Sequence, residues 1–172
     1  MPTRKYRKFL LLLFLLASVP TLAGDLVVED AFSPHQGATQ LIVRTINNAH
    51  QSIRVAAYSF TSQPIGDALA SAYHRGIDVR IVLDKKQNNT RGSLESFLQE
   101  NGVPMRINSH YAIMHNKFMI IDDDVLELGS FNYTQAAEER NAENVMVIHD
   151  TPRVIADYAR QWKKLWEEGE EK

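Results

Sequence analysis

Apolar residues fall in short dense runs between polar, glycine-bearing stretches, and the runs alternate between the period of strands and the wider period of helices. LVVEDAFSP contains a short apolar strand, and residues 37–50 (GATQLIVRTINNAH) read as a helix with Leu41, Ile42, Thr45 and Ile46 on one face. Residues 52–60 (SIRVAAYSF) are β-rich and largely apolar, the mark of a buried strand. The alternation then repeats. SQPIGDALASAYHRG carries Pro64 near a helix start and Gly76 at its stop, and residues 77–84 (IDVRIVLD) form a second buried strand. A polar loop at residues 85–92 (KKQNNTRG) leads to SLESFLQENG, a short helix capped by Ser93 and closed by Gly102, and then to the strand VPMRIN. This order predicts an α/β sheet with right-handed crossovers between parallel neighbours.

From residue 112 the rhythm changes: AIMHNKFMII reads as one strand, DDD as a polar turn, VLELGSF as the returning strand of a hairpin, and residues 142–149 as one more strand. TPRVIADYARQWKKLWEE is the final helix, with Thr151 as N-cap and Pro152 at its first position. Its Val154, Ile155, Tyr158, Trp162, Leu165 and Trp166 lie on or near one face, and its aromatics belong to the core rather than to a cofactor site. The tail EEGEEK is expected to fray. The fold class is α/β, a mixed central β-sheet flanked by helices.

The N-terminus stands apart from this pattern. A cationic MPTRKYRK, an apolar FLLLFLLASVP and a small-residue exit TLA before Gly24 follow the grammar of a secretory signal peptide. The apolar run from Phe9 to Ala23 is 15 residues, short of the roughly 20 that a membrane-crossing helix needs. We expect residues 1–23 to be removed and residues 24–172 to form one domain, periplasmic or secreted, with no stable membrane association. Removing Arg4, Lys5, Arg7 and Lys8 and no acid takes the formal net charge from −2 to −6, so an anionic substrate must be met by a local basic patch. Without cysteine, the chain has no disulfides, zinc–thiolate sites or thiol nucleophiles.

Residues 113–134 (IMHNKFMIIDDDVLELGSFNYT) carry the chemistry. They place His115 and Lys117 in an apolar run, where burial costs several kcal/mol unless the groups are paired or used. Residues two apart in a strand share a face, so this pair projects together, whereas Asp122 has the opposite parity. Imidazole beside a fixed ammonium suits phosphoryl chemistry: the lysine binds a phosphate oxygen, and neutral imidazole attacks phosphorus or carries a proton. Gly129 allows close approach, Ser130 and Asn132 offer a hydroxyl and an amide to phosphate, and Glu143 is a candidate to fix the imidazole tautomer. Asp122, Asp123 and Asp124 read as a turn rather than a cation site. Lys85, Lys86 and Arg91 are candidates for contact with a nucleic-acid backbone. Tyr58, Phe60 and Phe131 are divided between the cleft and the core.

The spacing His115-x-Lys117-x4-Asp122-x6-Gly129-Ser130-x-Asn132 resembles the HKD signature of the phospholipase D superfamily without a gap or substitution. The resemblance covers residues 27 to 166, and with one motif and an export signal the chain is most similar to the small secreted bacterial endonucleases of the Nuc type. It implies a phospholipase D-like fold in which His115 is the nucleophile of a phosphohistidine intermediate, Lys117 and Asn132 bind phosphate, Ser130 holds phosphate or positions the site, and Glu143 orients His115, a route that requires no metal or other cofactor. Asp122 belongs to the motif's catalytic set, although its parity suits a role in the strand, the turn or a subunit contact. One motif per chain implies a two-fold homodimer in which one His115 attacks and the other protonates the leaving oxygen, giving coupled titrations and a bell-shaped pH dependence. The expected activity is sequence-nonspecific hydrolysis of single- or double-stranded DNA, with RNA left open. The alternatives are a lipid phosphodiesterase using the same groups and a non-catalytic nucleic-acid-binding module.

Overall fold

The computed structural model describes residues 27–88 and 92–172. The expected signal peptide (1–23) and Arg91 lie outside the described residues. The first half runs β1 (Val28–Ser33), α1 (Ala38–Asn47), β2 (Ser52–Ala57), α2 (Gln63–His74), β3 (Asp78–Asp84), α3 (Lys85–Asn88), α4 (Glu95–Glu100) and β4 (Met105–Asn108). The second runs β5 (Lys117–Ile121), β6 (Val125–Gly129), α5 (Gln135–Glu139), β7 (Glu143–His149), α6 (Pro152–Glu167) and β8 (Glu170–Glu171).

All eight strands join one mixed sheet in the order β1-β7-β6-β5-β2-β3-β4-β8. β2, β3 and β4 are parallel neighbours joined across helices, as the alternation of apolar runs requires. β5 lies antiparallel against β2, and β6, β7 and β1 continue antiparallel from it. The α/β expectation therefore holds, with the parallel and antiparallel halves meeting at the β2–β5 pair.

The sheet has two unlike faces. On one, Ile42, Ile46, Leu69 and Ala72 of α1 and α2 pack on Ile53, Val55, Ile81 and Met119. On the other, Ile155, Trp162 and Leu165 of α6 pack on Ala56, Val82, Phe118, Ile120 and Leu126. The apolar face of α6 thus packs as its spacing predicts, except that Val154 in its first turn is exposed. Trp162 also donates its indole N–H to the Val55 carbonyl at 2.9 Å and stacks on Trp166 with centroids 5.1 Å apart.

α6 packs on β2, β4 and β5, leaving the outer part of this face uncovered. Register puts Met146 opposite Leu128, and Val28 opposite Ile148, so these side chains and Phe32 project from the α6 face. Val28, Phe32 and Met146 are 40%, 48% and 39% exposed.

Four local expectations change. The polar loop after β3 opens with the single-turn helix α3, whose amides are received by Asp84. The strand expected over 112–121 starts only at Lys117, because pairing with β2 ends at Ala57, so His115 lies before the ladder. A short helix, α5, follows the hairpin and is capped by Thr134, whose hydroxyl accepts the Ala137 N–H at 3.1 Å. The tail forms β8 rather than fraying, with Arg106 donating to Glu171 at 2.8 Å.

Candidate active site

The site lies where the sheet changes from parallel to antiparallel. β2 ends there, β5 begins there and β6 returns to it, so these segments converge on an open depression of about 420 Å³ lined by His115, Lys117, Leu128, Gly129, Ser130 and Tyr158, among others.

His115 is exposed, and its imidazole makes no hydrogen bond among the described residues; its neighbour is the Tyr58 ring, 4.4 Å away between centroids at 62°. Lys117 is half-buried and donates to the His115 carbonyl at 2.7 Å, and its Nζ lies 5.2 Å from the Tyr58 centroid. Desolvation lowers the Lys117 pKa, and the Glu143 charge acts in the opposite sense. Tyr58 therefore joins the site, whereas Phe60 and Phe131 are buried in the core.

Gly129 is required by space. A Cβ there would lie 2.1 Å from the Asn144 carbonyl oxygen, so any side chain must push β6 and β7 apart. That same carbonyl accepts the N–H groups of Ser130 (3.1 Å) and Phe131 (3.4 Å), an arrangement that turns the chain out of the ladder toward the depression.

The Ser130 hydroxyl donates to Glu143 at 2.6 Å and accepts from the Asn144 N–H at 3.1 Å, so its one proton is engaged within the protein. Glu143 receives Ser130 and, at 3.1 Å, the Asn141 amide; it is not hydrogen-bonded to His115. Asn132 is half-buried, does not line the depression, and encloses its Oδ1 without a hydrogen-bond partner. The structure thus brings His115, Lys117 and Ser130 together, with Glu143 held beside them through Ser130.

Asp122, grouped with the catalytic residues by its motif, sits at the opposite end of β5. Its carboxylate accepts the N–H groups of His50, Gln51 and Ser52, each at 2.8 Å, fixing the entry to β2. Burial raises its pKa, but these three amides and the nearby His50 outweigh that, leaving it below the usual carboxylate range. Asp122→Ala should therefore cost about 1–3 kcal/mol in urea unfolding at neutral pH, with the folded variant keeping near wild-type activity. Since the folded-state pKa is the depressed one, this stabilisation is present above the ordinary carboxylate range and disappears as acid protonates the group. A variant of wild-type stability but little activity would return Asp122 to the catalytic set.

Asp84, which no motif position marks, is a carboxylate only 2% exposed whose Oδ2 accepts the Met114 N–H at 2.7 Å. Its signal in the sequence is faint: a lone acid ending the apolar run VRIVL. Glu127, 1% exposed beneath the loop that bears Ser130 and Asn132, was likewise hidden in its alternating strand.

Fold and motif together define a class. The family described as "Cardiolipin synthase, PLD-like domain" matches residues 42–166, so the chain belongs to the phospholipase D-like family of phosphodiesterases. Among solved structures it is similar to Nuc, a phospholipase D family member from Salmonella typhimurium, with a TM-score of 0.83 and 37% identity, covering 86% of this chain and 99% of that one. NucT from Helicobacter pylori aligns with a TM-score of 0.75 and 26% identity over 86% of this chain and all of the other. A protein named phospholipase D from Rickettsia prowazekii is 38% identical over 135 residues, 78% of this chain and 65% of the relative's length.

Proposed function

We propose that the chain is a sequence-nonspecific endonuclease that hydrolyses nucleic-acid phosphodiesters through a phosphohistidine on His115, in one site shared by two copies. The observation that carries this reading is the exposed His115 imidazole, free of hydrogen bonds among the described residues, beside Lys117 in an open depression. The likeness to Nuc and NucT favours a nucleic acid as substrate.

In the first step a neutral His115 nitrogen forms a bond to phosphorus, the bond to the leaving oxygen breaks, and His115 of the second copy supplies that oxygen's proton. In the second, that same partner histidine takes a proton from water, which attacks phosphorus and breaks the P–N bond. Lys117 balances charge on the non-bridging oxygens, and Asn132, which lies outside the depression in the single chain, brings its amide N–H to phosphate only when the Ser130–Asn132 arm closes on substrate. Glu143, steadied by Ser130, orients the imidazole once substrate draws the groups together. The route needs no metal.

One chain supplies one such histidine, and this motivates the second copy. The uncovered apolar part of the α6 face adjoins the site through Leu128 and gives that copy a surface to bury. Residues 1–23 act as an export signal, placing the enzyme in the periplasm or outside the cell. Among the described residues no helix is long and apolar enough to cross a membrane.

A phospholipid headgroup is the second reading, favoured by the Rickettsia relative named phospholipase D. The test is supercoiled plasmid and anionic phospholipid vesicles, each incubated with the mature protein in excess EDTA. Nicking without headgroup release supports the nuclease, headgroup release alone supports the lipid enzyme, and plasmid binding without either product leaves a binding module. Sedimentation showing a fully active monomer would sink the shared site.

A further inference from the structure

Asp84 divides its two carboxylate oxygens between separate segments. Oδ1 accepts the N–H groups of Lys86 at 2.9 Å and Gln87 at 3.1 Å, as a cap on α3. Oδ2 accepts the N–H of Met114, thirty residues further along the chain, at 2.7 Å. Capping a single turn needs one oxygen, so the second bond is surplus to that role.

The surplus bond falls at the site. Pairing of β5 with β2 begins only at Lys117, so no ladder hydrogen bond holds residues 112–116. Met114 is 1% exposed and packs in the core beneath α6, while His115, the next residue, is exposed and its ring carries no hydrogen bond among the described residues. Among the described residues, the main chain on the N-terminal side of His115 is therefore fixed by the buried Met114 side chain and the bond to Asp84, while Lys117 holds the His115 carbonyl from the other side. Asp84 is itself held at the end of β3, with its backbone paired to Asn108 of β4.

We infer that Asp84 is a positioning residue for His115: through Met114 it sets the main chain from which the reacting imidazole projects and locks that chain to the segment opening with Lys85. This rests on the reading of His115 as the reacting group. A nucleophile must sit within a narrow range of distance and angle to phosphorus, and displacement of about 1 Å costs on the order of 100-fold in rate. Loosening the Met114 anchor therefore acts on turnover more than on substrate binding, for which Lys117 is placed by β5 itself.

Two variants separate this role from the cap. Asp84→Ser keeps a short acceptor able to cap α3 but cannot reach Met114, whereas Asp84→Ala loses both functions. With bis(p-nitrophenyl) phosphate as probe and the mature protein in its native assembly, both should show kcat lowered about 10- to 100-fold with KM little changed. Amide exchange at Met114 should accelerate in both variants while amides of β2 and β3 keep their protection. A serine variant with wild-type kcat beside a crippled alanine variant would make Asp84 a cap only and overturn the inference. Activity lost in step with the folded fraction would overturn it as well. A wild type inactive on every phosphodiester would instead remove His115 as the reacting group, and the inference would fall with it.

Discussion

His115→Ala should abolish phosphodiester cleavage, by ~10³-fold or more, while the variant folds and assembles as the wild type does. The loss is large because the substitution removes the nucleophile of one copy and the proton donor of the other. The fold should survive because the ring is exposed and touches only the Tyr58 ring among the described contacts. A shared site adds a sharper expectation for mixtures. If equal amounts of wild-type and His115→Ala chains are co-refolded, random pairing leaves about one quarter of dimers with both histidines, so activity should fall to about a quarter of an all-wild-type sample. Two independent sites would leave about one half. A plasmid-nicking assay in EDTA with sedimentation on the same samples decides between them, and substantial nicking by the variant alone would exclude His115 as nucleophile.

The second large effect concerns Glu127. It lies in β6 with its side chain on the α1/α2 face, 1% exposed, and accepts the Tyr133 hydroxyl at 2.6 Å. Burial pushes its pKa up to about 8, the Tyr133 bond only partly opposing it, and burial together with Glu127 keeps the Tyr133 hydroxyl protonated. The folded state thus holds a proton that the unfolded chain, with an ordinary carboxyl near 4.5, gives up. Stability from this group is complete below that ordinary value and declines as pH rises through about 8, by roughly 4–5 kcal/mol in all. Glu127→Gln keeps an acceptor for Tyr133 and removes the titration. Urea melts from pH 5 to 9 should show the wild type weakening more steeply, with the variant the more stable at pH 9; parallel curves would refute the assignment. Tyr133 follows Asn132, and its carbonyl receives the N–H groups of Thr61 and Ser62, so the buried Glu127–Tyr133 pair sits at the root of the Ser130–Asn132 arm.

What the residue pattern revealed and what it hid divide by the range of the forces involved. β2, β3 and β7 were legible because burial demands apolar runs, and α2 and α6 because Pro64 and Pro152 mark their starts. α5 was not, since QAAEE carries no apolar stripe and its first turn depends on the Thr134 hydroxyl. The start of β5 was misread because Met114 is apolar for a core contact rather than for a ladder. The motif grouped His115, Lys117 and Ser130 from 16 consecutive residues. Asp122 shares that segment, yet a strand's length carries it to the far end, where its partners lie about 70 residues away in sequence. Asp84 bonds across 30 residues to Met114. No local period records a partner supplied only by the folded sheet.

β8 bears on how this sheet avoids unwanted company. It covers one rim of the sheet, where a longer unprotected strand would present open amides and carbonyls as a template for polymerisation. Here the outermost residues are Glu170 and Glu171, both exposed, with the pairing held by the Arg106 guanidinium. A second rim of the same kind would bring like charges face to face, so this margin repels its own copies. Self-association is thereby steered away from ribbon growth at the rim.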